Sequence, residues 1–358
     1  MIIAPAKNIL FGEHAVVYPP NTAIIAANSL ACKAEVRANN TSSLINVQAS
    51  GEFSLSQTYD TAVLISYLDS VRREYLKFKE SGNISTIRKI INKDDDLLKL
   101  SIAVAFDYLF KLNLKTAGFS LFLLSNVPLQ SGFGSSAVFS SAVIAEILNF
   151  FRVRFNKDII FNLTMEIEAF QHLHPSGEGP AAVIYGELIQ LNKNVNKTPS
   201  IKKLKIENLK LKDLMQNLTV IHSGKPDQTT GELVNYVKLN FEDKKEVIEE
   251  LESNTLRFLE LNKRKECEEK EFVVLINKSG MLLEKLGVVS DPVIEYSKII
   301  RDKGGAVKIS GAGGQGKNGS GALLVYHSDR DWVKKITEEF GFKFFDIKFG
   351  GDGIRIIK

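Results

Sequence analysis

The sequence predicts an α+β chain folded as two domains, and three observations carry that expectation. At 358 residues the chain is too long for one compact core and suits two domains packed on each other. Residues 306–348 read strand, glycine-rich turn, strand, helix, strand, the order of an α+β unit with an antiparallel sheet. Between these and the strand-rich start of the chain lies a tract, 192–212, rich in Lys and Asn and without apolar periodicity over its first half. The boundary is expected there, giving an N-terminal domain at 1–195 and a C-terminal domain at 196–358.

Taken in order, short apolar runs bounded by turn residues predict strands at 9–11, 23–27, 31–36 and 45–47. Residues 59–77 read as a helix. LLKLSIAVAFDYLFKL at 97–112 is apolar around most of its circumference, which predicts a buried helix. A strand at 119–124, a helix at 136–152, a helix at 163–173 with Asn162 or Thr164 near its start, and a strand at 183–191 follow. Beyond the boundary tract, strands are expected at 218–222, 306–310, 322–326 and 343–348. Helices are expected at 228–239, 244–261, 271–286, 291–303 and 331–340. No internal repeat is present.

Composition narrows the partners. Lys and Arg number 46 against 42 Asp and Glu, a net charge of +4, with no long basic run and no aromatic residues interleaved with a basic stripe. Nucleic acid is therefore not expected, whereas anionic small molecules suit a mildly basic chain. Cys32 and Cys267 form no CxxC or zinc-ligand spacing, so a reducing compartment and no structural disulfide are expected. Neither a charged, apolar leader nor a stretch of bilayer length is found, and the expectation is a soluble, cytoplasmic protein that does not engage membranes.

The chemistry concentrates in three glycine-bearing segments. Ser131-Gly132-Phe133-Gly134-Ser135-Ser136-Ala137 follows an apolar run and opens a helical pattern. Small residues there let backbone N–H groups approach an anion, the helix start adds partial positive charge, and hydroxyls can bind phosphate or metal. A connection with an N-cap is the plainer alternative. Near the start, Lys7 precedes an apolar run that ends in Gly12-Glu13-His14, placing an ammonium and two polar side chains on one side of a site. The alternatives are a solvated lysine and a histidine that caps the turn. Near the other end, Lys308-Ile309-Ser310-Gly311-Ala312-Gly313-Gly314-Gln315-Gly316 packs glycines where backbone approaches something closely, or forms a flexible loop.

Together and in this order, these segments resemble the motifs of the GHMP kinase superfamily, and within it the mevalonate kinases most closely. APAKNILFGEHAVVY at 4–18 and PLQSGFGSSAVFSSAV at 128–143 are similar to the first two motifs. MEIEAFQHLHPSG at 165–177, LEKLGVVSDPVIEY at 283–296 and KISGAGGQG at 308–316 match later ones. The resemblance covers most of the chain except about 40–95 and the lysine-rich tract. It implies an N-terminal domain with a left-handed βαβ unit, a C-terminal ferredoxin-like domain, and a site between them. ATP would lie on Ser131, Gly132, Gly134, Ser135, Ser136 and Ala137, with Gly311 and Gly313 of the third segment nearby; no GxxxxGK[ST] loop occurs.

The resemblance also implies roles. Ser136 and Glu168 would hold Mg2+, a hard cation that keeps several waters and needs few protein ligands. An exposed helical glutamate is the alternative for Glu168. Lys7 would sit by the attacking hydroxyl and the γ-phosphate. Glu13, His14, Ser176 and Gly177 would line the acceptor pocket, His14 as a donor to a substrate oxygen or carboxylate. The implied partner is a small hydroxy acid, mevalonate or a relative, and the implied assembly a monomer or homodimer.

One departure stands out. The family carries an aspartate two residues after Pro-Ser-Gly that accepts the hydroxyl proton, and this position is Gly179 here; Glu178, one residue earlier, is the available base. A different acceptor, such as a phosphorylated mevalonate, or a nucleotide-binding paralogue with weak transfer, therefore stays open. Gln315 and the Lys317–Ser320 insertion depart from a purer glycine run. His172 and His174 form an HxH that reads as structural or substrate-facing. Residues 223–230 read as an acceptor contact or an N-cap.

Overall fold

The computed structural model describes every residue except 19, 40–42, 84, 174, 194–198 and 358. In chain order the elements are β1 (Ile2–Phe11), a 3-10 turn (Ala15–Val17), β2 (Asn21–Ala38), β3 (Leu44–Gly51), β4 (Leu55–Asp60), α1 (Thr61–Ser81), α2 (Ser85–Arg88), α3 (Asp96–Lys111) and β5 (Phe119–Ser125). Next come α4 (Ser135–Phe150), α5 (Lys157–His172), α6 (Glu178–Tyr185), β6 (Leu188–Lys193), β7 (Ser200–Lys203) and α7 (Leu209–Gln216). The remainder is β8 (Thr219–His222), α8 (Thr230–Leu239), α9 (Phe241–Lys263), α10 (Glu269–Leu286), α11 (Asp291–Asp302), β9 (Ala306–Ser310), β10 (Ala322–Tyr326), α12 (Arg330–Glu339), β11 (Lys343–Phe345) and β12 (Arg355–Ile356).

The larger sheet runs β12-β1-β2-β5-β3-β4, with β6 paired to the first half of β2 and β7 to β6. Only β3 and β5 are parallel, and α1 to α3 make the crossover that parallel strands require. The smaller sheet, β11-β8-β10-β9, is antiparallel throughout, and its β-α-β-β-α-β connectivity is the ferredoxin-like arrangement. The order expected for 306–348 is the one observed. A main apolar core under the larger sheet takes in α3 and α4, in which every residue from Ala137 to Leu148 is buried; a second core lies under the smaller sheet. Among the described residues no helix is long and apolar enough to cross a membrane.

Several elements differ from the sequence expectation for identifiable reasons. The strands expected at 23–27 and 31–36 are one strand, because β2 serves β1 along its length while β6 pairs with its first half and β5 with its second. The helix expected from 59 starts at Thr61, since Asp60 still belongs to β4 and its carboxylate accepts from Ala62 N–H at 2.8 Å. Helix α5 starts six residues before the expected 163, capped by Asn156, whose side chain accepts from Ile159 N–H at 2.9 Å. The strand expected at 183–191 is a helix as far as Tyr185. Residues 180–184 are all buried, so the run has no polar face to betray its period, and Gly186 ends it. The expected boundary at 195 lies outside the described residues, and β7, beyond it, still pairs within the larger sheet.

Candidate active site

The site is built where β1 runs past the start of α4. A register shift interrupts the β1–β2 ladder beside the lysine, where Ala6 alone opposes Asn28, Ser29 and Leu30 of a bulged β2. Lys7 N–H donates to Phe133 O at 3.1 Å, tying the strand to the serine- and glycine-rich loop. Gly134, with φ at +74°, caps α4, and a Cβ placed on it would stand 2.8 Å from Lys7 Cγ and 2.9 Å from Cε. The lysine stem therefore lies on the loop backbone, with its ammonium at the positive end of the helix. Burial lowers the Lys7 pKa from its ordinary value, and the negative charges of Glu178, Glu13 and Glu168 partly restore it.

Those three carboxylates come from three elements. Glu178 opens α6 behind Gly177, which sits in the left-handed region at φ +85°. The Ser176 hydroxyl donates to Glu178 Oε2 at 2.7 Å, while Oε1 is buried without a partner. Burial pushes the Glu178 carboxyl above its ordinary pKa, and Lys7 is the largest of the influences pulling it back. Glu168, buried on α5, leaves Oε1 unpartnered and has Oε2 3.7 Å from His172 Nε2. Gly179 stands between: a Cβ on it would lie 3.2 Å from Ala137 Cβ and 3.8 Å from Glu168 Oε2. The position that lacks an aspartate thus faces the same cleft.

Glu13 follows the end of β1 and pairs with Lys308 of β9, both fully buried. Burial raises the Glu13 carboxyl and lowers the Lys308 ammonium, each against the pull of the other's charge. Lys308 also donates to Ile9 O at 3.3 Å, and Ser310 Oγ accepts from Ile9 N–H at 2.8 Å and from Asn8 Nδ2 at 3.2 Å. His14, at φ +58°, directs Nε2 to Ala312 O at 2.9 Å, so this nitrogen donates to the third loop rather than to a substrate oxygen. Burial lowers its pKa, which favours the neutral ring and leaves Nδ1 as an acceptor.

The expected phosphate loop and third glycine loop meet backbone to backbone. A Cβ on Gly132 would stand 2.3 Å from Ser310 O, and one on Gly311 would stand 3.0 Å from Gly132 Cα. Gly313 is pressed likewise on Val288 O. The Ser131 hydroxyl is engaged, donating to Leu129 O at 2.7 Å and accepting from His222 Nε2 at 2.8 Å. Ser135 Oγ accepts from Gln130 N–H at 3.2 Å. Residues 223–230 end in a capping box at Thr229 and brace the third loop, with Gln228 Oε1 accepting from Gln315 N–H at 3.0 Å. His172 lies beside Glu168, and His174 is outside the described residues.

The fit to a divalent cation rests on unpartnered oxygens. Ser136 Oγ and Glu168 Oε1 are both buried and without hydrogen-bond partners. One hydroxyl and one carboxylate are hard oxygen donors of the kind Mg2+ takes alongside water and phosphate. Among the described residues no three His, Cys, Asp or Glu side chains converge as a metal cage. Sequence reasoning named Lys7, Glu13, Glu168 and Glu178, and the fold brings the three carboxylates near enough to act on the lysine's charge. It missed Lys308 and Lys193 as members of this electrostatic set; a lysine inside the otherwise apolar strand AVKIS was the available signal for the first.

Residues 99–187 match the family model described as GHMP kinases N terminal domain. Mevalonate kinase of Methanocaldococcus jannaschii is 26% identical over 95% of this chain and 96% of its own length, and that of Schizosaccharomyces pombe is 28% identical over 100% and 91%. Among solved structures, the mevalonate kinase of Methanococcus jannaschii superposes with a TM-score of 0.73 at 22% identity, covering 97% of this chain and 98% of that one. The Streptococcus pneumoniae phosphomevalonate kinase bound to phosphomevalonate and AMPPNP superposes at 0.70 with 14% identity, covering 98% and 99%.

Proposed function

We propose that the chain is a GHMP kinase of the mevalonate kinase type and that it transfers the γ-phosphate of ATP to the primary hydroxyl of mevalonate. The observation that carries this is the seat of Lys7 on Gly134, with Glu178 and Glu168 near enough to act on its charge and the unpartnered Ser136 hydroxyl in the first turn of the helix that Gly134 caps. The N-terminal turn of α4 and its loop would cradle the phosphates, since unpaired helix-start N–H groups and the helix dipole favour anions. Ser136 and Glu168 would hold Mg2+, which when bound neutralises phosphate charge.

In the transfer, the acceptor O–H proton passes to Glu178 Oε1 as the acceptor oxygen bonds to the γ-phosphorus. The bond from that phosphorus to the bridging oxygen breaks and ADP departs. Lys7 stabilises negative charge on the attacking oxygen and the transferred group, where a desolvated ammonium acts more strongly than one in water. Because the transition state is loose, positioning and charge carry most of the acceleration, and an imperfectly placed base still permits turnover.

A phosphorylated mevalonate is the second reading, favoured by a half-buried lysine, Lys193, beside Glu178. A cytoplasmic location is proposed from the two free thiols, Cys32 and Cys267. The test is ADP formation with mevalonate, phosphomevalonate, homoserine, galactose and shikimate. Saturable turnover with mevalonate is expected, and a flat response across the panel overturns the function.

A further inference from the structure

Strand pairing places Lys193 on the working face of the larger sheet. Asn21, Ala23, Ile25 and Ala27 of β2 share one face, and they pair with Lys193, Leu191 and Ile189 of β6 and with Lys7 of β1. Lys7 and Lys193 therefore stand on the same side. The start of α6 covers that side, for a Cβ on Gly177 would lie 3.8 Å from Leu191 Cδ1. Asn21, directly across from Lys193, donates from Nδ2 to Ala15 O at 2.9 Å and so fixes the turn that carries Glu13 and His14.

Lys193 is half-buried, and among the described residues it has no ion-pair partner. Among the described residues the charge that acts on it is Glu178, which Lys7 also influences; burial holds the Lys193 ammonium below its ordinary pKa despite that carboxylate. A desolvated ammonium without a partner is costly unless a ligand brings the counter-charge. Resting on the phosphotransfer proposed above, we infer that Lys193 binds the anionic end of the acceptor while Lys7 and Glu178 receive its hydroxyl end. The anion is the carboxylate of a hydroxy acid, read by a charge-assisted hydrogen bond.

The test compares the wild type with Lys193→Met and Lys193→Arg, using mevalonate, phosphomevalonate and 3-methylpentane-1,3,5-triol, in which a neutral hydroxymethyl replaces the carboxylate. Lys193→Met is expected to raise KM for the anionic acceptor by about 10–100-fold, the weight of one hydrogen bond to a charged group. Its kcat and its KM for ATP are expected to stay within about three-fold of wild type, and Lys193→Arg to recover most of the loss. The triol should be a poor acceptor that Lys193→Met does not worsen. An unchanged KM for the anionic acceptor, or an equal loss with the triol, overturns the inference while leaving the kinase function intact. Turnover of mevalonate places the contact on the carboxylate; turnover of phosphomevalonate alone, which offers no primary hydroxyl to Lys7 and Glu178, overturns the inference. A wild type that uses neither acid overturns the function and this inference together.

Discussion

At the scale of single residues, the cleft sets its own pH window. As the proposed base, Glu178 would work only when ionised, and burial raises its pKa, so activity should fall on acidification at a pH above the ordinary carboxylate range. Lys7, in its proposed role, would work only when charged, and burial lowers its pKa, so the alkaline limb should fall below the ordinary lysine range. The expected kcat/KM profile is a bell narrowed from both sides, and Glu178→Gln should remove the acid limb with a loss of about 10²–10⁴-fold. Gly179 allows a sharper check, because its missing side chain points at Ala137 and Glu168 across 3.2 and 3.8 Å. Adding Gly179→Asp to Glu178→Gln should restore part of the lost turnover; no recovery would mean that a carboxylate from this turn is not the base. Lys7 and Glu178 were legible because they stand in glycine-bearing segments of marked composition. Lys193 was not, since it sits in a lysine- and asparagine-rich tract where its pairing with Asn21 leaves no trace in composition.

At the scale of elements, one left-handed residue holds the strand and the helix in working register. Gly134→Ala would put a methyl within 3 Å of the Lys7 stem and force an L side chain to φ +74°. The backbone term should cost about 1–2 kcal/mol in urea unfolding. The displaced ammonium should lower kcat on the order of 10²-fold, with KM for mevalonate changed much less. Strands β9 and β10, buried at every position, were readable to the residue because Gly305, Gly311 and Gly321 bound them. Helix α6 was misread as strand because a helix buried on all sides carries no period, and its start depends on a left-handed glycine that only the three-dimensional path makes necessary. The joining of two expected strands into β2 escaped notice for a related cause, as pairing with three neighbours, and not local composition, keeps it extended.

At the scale of the whole molecule, the two sheets are locked through the site. Glu13 follows a strand of the larger sheet, Lys308 lies on a strand of the smaller one, and neither reaches water. Lys308→Met would leave a buried carboxyl without its cation and should cost about 3–5 kcal/mol of stability. Glu13→Gln combined with Lys308→Met should recover a measurable part of it, a coupling that a double-mutant cycle in urea would read. If the two losses simply add, the pair does not join the sheets. The family resemblance implied a cleft between two units, and the lysine inside the apolar run AVKIS was the one sign in either segment that a buried ion pair would bridge it.

Strand β12 covers the start of the outer edge of β1, pairing Ile356 with Ile2 and Arg355 with Ile3, and Ile347, Phe349 and Ile354 on the way to it are buried. The strand that bears Lys7 therefore waits for its neighbour until Arg355 and Ile356 have left the ribosome. During synthesis its unpaired N–H and C=O groups are open to other nascent chains, the condition under which sheets join edge to edge. Deleting residues 347–357 should make that condition permanent, yielding aggregates in which soluble protein and turnover are lost together.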